Sequence, residues 1–332
     1  MYIISSYTLA VFLLFISMLC WGSWANTQKL ASKSWAFQLF YWDYALGLVI
    51  LSLVLALTLG SSGSIGRDFI TDLSQATGQH LGSAFFGGVV FNIANLLVVT
   101  AIDLAGMAIA FPIAIGLALV LGVVINYFGE STGDPLLLFG GVSLVTLAII
   151  INAIAYRKMS RGKLSASKKG IIISIAGGII MSFFYRFVAD ALVSDFANPQ
   201  PEKLTPYTAV FIFSLGVLIS NFLWNTIFMY KPLYGKPVGY TDYFNQGNIR
   251  LHLVGIFGGV IWCMGMFLSI LASDKAGPAI SYGLSQGATL VAALWGVFIW
   301  KEFKGAPKGT NGLILAMFLC FLAGLVLIIF AR

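Results

Sequence analysis

Charge is what this sequence lacks most. Only 9% of its 332 residues are charged, against 59% hydrophobic, and the mean hydropathy is +0.93. A soluble globular domain carries roughly 25% charged residues. A soluble fold of 35.8 kDa has too much surface to cover with so few. The hydrocarbon of a bilayer is the solvent that suits this composition. Cysteine is also scarce: Cys20, Cys263 and Cys320 lie in apolar stretches without CxxC spacing, so they read as small hydrophobes and not as a disulfide or metal framework. The two histidines, His80 and His252, sit at segment ends, which leaves no basis for a histidine metal site. H-E-x-x-H and Walker A patterns are missing, so neither an enzyme nor a cofactor is expected. The net charge of +7 does not imply a nucleic-acid partner, because there is no long basic run, zinc-finger spacing or basic stripe on a soluble helix.

What is present is a series of long apolar runs. A span needs about 20 mostly apolar residues to cross about 30 Å of hydrocarbon. Ten segments qualify: 6–27, 36–59, 81–103, 106–128, 136–156, 170–191, 207–229, 252–272, 278–299 and 312–330, here helices 1 to 10. The first lacks a basic n-region and a clear cleavage site and contains Asn26, so it reads as a retained helix and not a signal peptide. The expected fold is an all-α integral membrane protein.

Basic residues give the orientation. With the N-terminus outside, the loops after helices 1, 3, 5, 7 and 9 hold fourteen Lys and Arg, and the other face holds four: Arg67, Lys203, Lys275 and Arg332. Positive charge collects on the cytoplasmic side. Both termini are therefore expected outside, in a cell membrane (the inner one in a Gram-negative cell). The richest loop, 157–169, separates a first unit, 1–156, from a second, 170–332.

These units repeat. Residues 87–120 align without a gap to 258–291, with 13 of 34 positions identical. Gly87-Gly88-Val89 matches Gly258-Gly259-Val260, and Asp103-x-Ala105-Gly106 matches Asp274-x-Ala276-Gly277. Five spans per unit force the two units into opposite orientations, the inverted repeat that secondary transporters use to build a site near the midplane. The two D-x-A-G elements fall at turns, where Asp would cap the next helix and Gly would permit the bend.

Polar residues inside spans are costly, and each needs a physical reason to be there. Asp43 stands in helix 2 among Tyr41, Trp42 and Tyr44, with no basic residue near it in sequence. It reads either as a carboxyl that exchanges a proton as access alternates or as an interfacial Asp held by the aromatic belt. Arg186 and Asp190, i,i+4 on helix 6, read as a local ion pair, with an outer gate as the alternative. Asn92 and Asn95 share a face of helix 3, Asn221 and Asn225 one of helix 7, and Tyr282 and Gln286 one of helix 9. With Trp21 and Trp262 as stacking surfaces, these amides would suit a urea-like or polyhydroxyl solute. Each could equally be interhelical packing glue.

Cys20-Trp21-Gly22-Ser23-Trp24 resembles the first-helix Trp-Gly element of the sugar-porter branches, glucose/ribose and rhamnose, of the drug/metabolite transporter superfamily. Tyr41-Trp42-Asp43-Tyr44, Asn126-Tyr127-Phe128, Tyr207-Thr208-Ala209-Val210 and Phe298-Ile299-Trp300-Lys301-Glu302-Phe303 resemble elements of the plant ureide permeases, over nearly the whole chain. The long central loop of the plant proteins is absent: here it is 157–169. The resemblance implies ten helices as two inverted five-helix repeats and proton-coupled import of a ureide, nucleobase or sugar. A metabolite or drug exporter or exchanger of the same fold is the alternative. The partners are a small solute and the lipid bilayer, and the chain would act as a monomer or homodimer.

Overall fold

The computed structural model describes residues 1–31, 35–105, 107–159 and 167–332, leaving aside the side chains of Met107 and Ala108. Lys33, Gly106, Arg161 and Lys163, on which the orientation, the first D-x-A-G turn and the linker drew, lie outside the described residues. Ten helices are long and apolar enough to cross a membrane: Tyr7–Ala31, Phe37–Leu57, Gly78–Ala105, Ile109–Gly129, Pro135–Met159, Lys168–Ala191, Pro206–Tyr230, Ile249–Ala276, Pro278–Ile299 and Thr310–Phe330. They correspond one to one with the ten expected spans. Helices 1, 3, 5, 7 and 9 all end at one side of the bundle, the basic face; the opposite side is the far face.

The helices are apolar all round because both of their environments are apolar. On helix 10, Met317, Phe321, Gly324 and Ile328, spaced by four, three and four residues, form a stripe buried on helix 5, while Leu315, Leu319, Leu322 and Phe330 point outward with more than half of their surface free. In lipid that outward face is solvated by acyl chains. Glycines let the helix backbones meet. A Cβ on Gly259 would lie 2.0 Å from Tyr44 O, with Gly47 opposite, which joins helices 8 and 2. The same approach recurs where Gly88 of helix 3 meets Gly216 of helix 7, each with a backbone carbonyl 2.1 Å from the position of a Cβ. Helices 3 and 8 are counterparts in the repeat, so the two contacts are those that a duplicated five-helix unit would make in exchanged form.

Three spans are broken near mid-membrane. Helix 1 breaks at Trp24, helix 6 between Met181 and Phe184, and helix 9 at Gln286-Gly287, before a π-helical turn at Trp295–Ile299. Helix 4 carries Pro112. Irregular backbone at this depth is tolerated where it lines a cavity.

The far face is closed. Asp72, on the short helix Phe69–Gln75, accepts from Arg67 Nε at 2.7 Å and from Thr205 N and Oγ1 at 2.8 and 2.9 Å. Arg67 donates onward to Lys203 O, and Tyr207 donates to Tyr2 O at 2.9 Å. The capping role expected of Asp274 is corrected; that of Asp103 turns on Gly106, outside the described residues. Asp274 pairs with Lys275 Nζ at 2.7 Å, and helix 9 begins with no side-chain cap. Gly277 does make the turn, at φ +79°.

Candidate functional site

The breaks in helices 1, 6 and 9 surround a cavity of about 420 Å³. Its floor is aromatic. Trp21 and Trp262 stack with centroids 5.5 Å apart, Phe91 meets Trp262 at 4.2 Å, and Phe184 closes on the same indole at 6.4 Å. The indole N–H of Trp21 donates to Trp262 O at 3.1 Å, which fixes the ring. Behind this floor Phe213 stacks on Trp262 at 5.8 Å, so the plug continues toward the far face.

Above the floor the walls carry a few polar groups on an apolar background. Asn95 donates to Tyr41 Oη at 3.2 Å. Gln286 and Thr289 come from the break in helix 9, and Asn152 from helix 5. The Asn152 amide oxygen is buried and has no hydrogen-bond partner among the described residues. An apolar pocket with sparse polar groups is the usual form of a small-molecule site, and its volume lies within the range of about 300–1,000 Å³ for such sites.

The lining then runs to the basic face, where Lys29, Asp103, Tyr156, Trp300 and Glu302 form a mouth. Lys29 Nζ lies 3.0 Å from Glu302 Oε1 and 4.0 Å from the Trp300 ring centroid. Tyr156 donates to the other Glu302 oxygen, and Trp300 Nε1 donates to Asn26 Oδ1 at 2.7 Å. The π-helical turn sets this up by carrying Trp295, Trp300 and Glu302 round to the mouth, and Gly296 leaves the room: a Cβ there would stand 2.8 Å from Tyr156 Oη. Such π-turns are frequent at functional sites.

Asp43 lies elsewhere. Its carboxylate is 2% exposed and does not line the cavity. Oδ1 accepts from Tyr243 Oη at 2.6 Å, and Oδ2 lies 2.9 Å from His252 Nδ1. Trp35 stacks on Tyr243 at 5.6 Å and meets the His252 ring edge-on at 4.9 Å. Tyr243 belongs to the short helix Tyr240–Gln246, so this cluster ties a surface helix to helices 2 and 8 at the basic face. Burial, and then the bond to Asp43, pushes the Tyr243 hydroxyl above its ordinary range. The carboxyl that looks unpaired in sequence is thus doubly partnered by residues some 200 positions away.

The sequence has relatives along most of its length. A model of the ureide permease family, described as "Ureide permease", matches residues 40–169 and 159–331, two pieces that meet at the basic linker. The chain belongs to the ureide permease family. It is a multi-pass membrane transporter of small solutes. It is similar to Ureide permease 1 of Arabidopsis thaliana, 23% identical over 99% of this chain and 98% of the relative. It is also similar to a probable glucose uptake protein, GlcU, of Priestia megaterium, 26% identical over 68% of this chain and 71% of the relative. A crystal structure superposes on 97% of this chain and 96% of its own with a TM-score of 0.62 and 15% identity, which speaks to the fold alone.

In this member of the ureide permease family, the polar residues singled out in sequence divide. Trp21, Asn95, Trp262 and Gln286 line the cavity; Asn92, Asn221, Asn225 and Tyr282 do not. Asn92 donates to Val217 O and Ser220 Oγ, at 3.2 and 2.8 Å, and joins helices 3 and 7. Asn225 donates to Gln38 O at 2.8 Å, and Tyr282 to Ala118 O at 3.0 Å. Asn221 is fully buried with neither amide atom partnered. Arg186 and Asp190 form a local ion pair near the far end of helix 6, outside the cavity. Sequence reasoning did not single out Asn152, Tyr156 or Lys29, and named Glu302 only within an element of the family resemblance. A lone mid-span amide marks Asn152 as noteworthy, but nothing in the sequence signals that Lys29, Tyr156 and Glu302 converge.

Proposed function

We propose that this chain is a secondary transporter that imports a small neutral polar solute together with protons by alternating access, and that the solute sits on the Trp21–Trp262 floor. The observation that carries this reading is the cavity itself: sealed toward the far face by stacked aromatics and open toward the face rich in Lys and Arg. By the positive-inside rule that face is cytoplasmic, so this is the inward-open state. Flat apolar walls and sparse amides suit a ring that presents one apolar face and a rim of donors and acceptors. A ureide or nucleobase has this form, and so does a sugar with its apolar ring face. The names of the relatives, ureide permease and probable glucose uptake protein, agree with both classes. On this reading Asn95, Asn152, Gln286 and Thr289 orient the solute, and the Asp43–His252–Tyr243 cluster steadies the basic face.

Uptake into proteoliposomes under an imposed proton or sodium gradient tests the reading, with allantoin, uracil, xanthine, glucose, ribose and rhamnose as solutes. Accumulation of at least one, above the gradient-free level and abolished by a protonophore, is expected. No gradient-dependent accumulation of any of them sinks proton-driven import and favours the exporter or exchanger.

A further inference from the structure

The repeat supplies two aspartates in one register, and the structure treats them differently. Asp103 lies near the end of helix 3 at the basic face, and Asp274 near the end of helix 8 at the far face. Asp274 is enclosed, its side chain 5% exposed, and the residue after it, Lys275, supplies the countercharge at 2.7 Å. The residue after Asp103 is Leu104, so the first unit carries no such charge. Asp103 lines the open mouth of the cavity, is exposed there, and has no hydrogen bond or ion pair with any described residue.

In an inverted repeat the two units exchange conformations when access alternates. The closed far face around Asp274 is then a picture of the basic face around Asp103 once that face closes. We infer that closing the basic face encloses Asp103 as Asp274 is enclosed now, and that Asp103 takes up one proton to permit it. This rests on the alternating-access mechanism proposed for the chain. Without a built-in lysine, an enclosed carboxylate would face the full cost of leaving water. Binding one proton from the basic-face solution removes that cost, and reopening returns the proton to the same side. Proton concentration on the basic side thereby sets how readily the emptied carrier returns.

Among the described residues, no other charged group of the neighbouring elements is bonded to Asp103. Across the mouth stand Lys29, Tyr156 and Glu302, joined to one another. Helix 6 packs on the end of helix 3 through Gly170 and begins with Lys168 and Lys169, and Lys169 donates to Leu233 O at 3.3 Å. Helix 7 ends at this face with Tyr230 and Lys231. On helix 4, Tyr127 lies near the far end, where Glu130 comes next, and so do Arg186 and Asp190 on helix 6.

Accessibility at the mouth tests the inference without any solute. Cys20, Cys263 and Cys320 are replaced by alanine, and Ala292, on the cavity wall, by cysteine. Labelling by a membrane-impermeant maleimide from the basic side is measured at pH 8 and pH 5.5, each rate divided by that of the denatured protein at the same pH. The parent should label several-fold more slowly at pH 5.5. Asp103→Asn should label slowly at both pH values. Leu104→Lys, which copies the Asp274–Lys275 arrangement, should also lose the pH dependence while remaining folded. A parent without pH dependence, or an Asp103→Asn protein that keeps it, overturns the inference. Loss of uptake with these labelling patterns intact would instead count against the solute reading alone.

Discussion

Phe91 and Trp262 occupy the same position in the two units, 171 residues apart, and their rings meet with centroids 4.2 Å apart. The plug that seals the far face is therefore made of residues from both halves of the chain. Under the alternating access proposed for the chain, moving one half against the other shears this pair.

The plug is also a large share of local packing. Trp262 is 5% exposed and contacts Trp21, Phe91, Phe184 and Phe213. Truncating a buried aromatic to alanine costs about 3–5 kcal/mol, so Trp262→Ala is expected to melt several degrees below the parent in detergent. Trp262→Phe keeps a ring on Trp21 and should lose far less. Equal melting temperatures for Trp262→Ala and the parent would contradict this role.

Glycine contacts make a second prediction with an internal control. A methyl on Gly259 would sit 2.0 Å from Tyr44 O, and on Gly88 2.1 Å from Phe213 O; neither backbone atom can yield without moving a helix. Gly259→Ala and Gly88→Ala should each sharply reduce the monodisperse peak in size-exclusion chromatography. Gly312, on helix 10, has nothing within 4 Å of the same position. Gly312→Ala should be neutral or stabilising by up to about 1 kcal/mol, because glycine is the weaker helix residue.

What is legible in the sequence depends on how far each signal reaches along the chain. The spans are legible because twenty apolar residues in a row suit little besides a membrane crossing, and Gly88 and Gly259 are legible because they recur in one register. The division among the amides is not. Helix 3 is apolar on its lipid face, its packing face and its cavity face alike, so the periodicity that puts Asn92 and Asn95 together cannot say that Asn92 turns to Ser220 and Asn95 to the cavity. Asp43 shows the same limit, since its partners come from the start of helix 8 and from a short helix that hydropathy does not flag.

Asp68, in a loop outside the spans, gives the far face an acid-sensitive helix cap. It accepts from Thr71 N at 3.1 Å, capping the short helix Phe69–Gln75, and bonds from Thr71 hold its carboxyl below the usual carboxylate range. A group whose pKa is lower folded than unfolded contributes above the unfolded value, near 4, and that contribution fades as the pH falls through the folded value. Amide exchange in 69–75, corrected for its intrinsic rate, should therefore quicken between pH 6 and pH 3. Asp68→Asn keeps a cap but has no charge to lose, and should flatten the difference. An unchanged pH response in Asp68→Asn would assign it to another group.

Asn152 and Asn221 separate recognition from packing. Both have a buried amide oxygen with no partner, but only Asn152 lines the cavity. A buried acceptor left unmet costs about 1–3 kcal/mol, and a solute that donates to Asn152 would recover part of that on binding. Asn152→Leu should then raise the KM for a transported solute such as allantoin about three- to tenfold, the size of one net hydrogen bond, with kcat little changed and a melting temperature no lower than the parent's. Asn221 has both amide atoms unpartnered and meets no solute in this state. Asn221→Leu should raise the melting temperature, since it removes two unmet groups from the interior, and leave KM alone. A rise in KM for both variants would mean that Asn221 reaches the solute in another state; a rise for neither would remove Asn152 from the site.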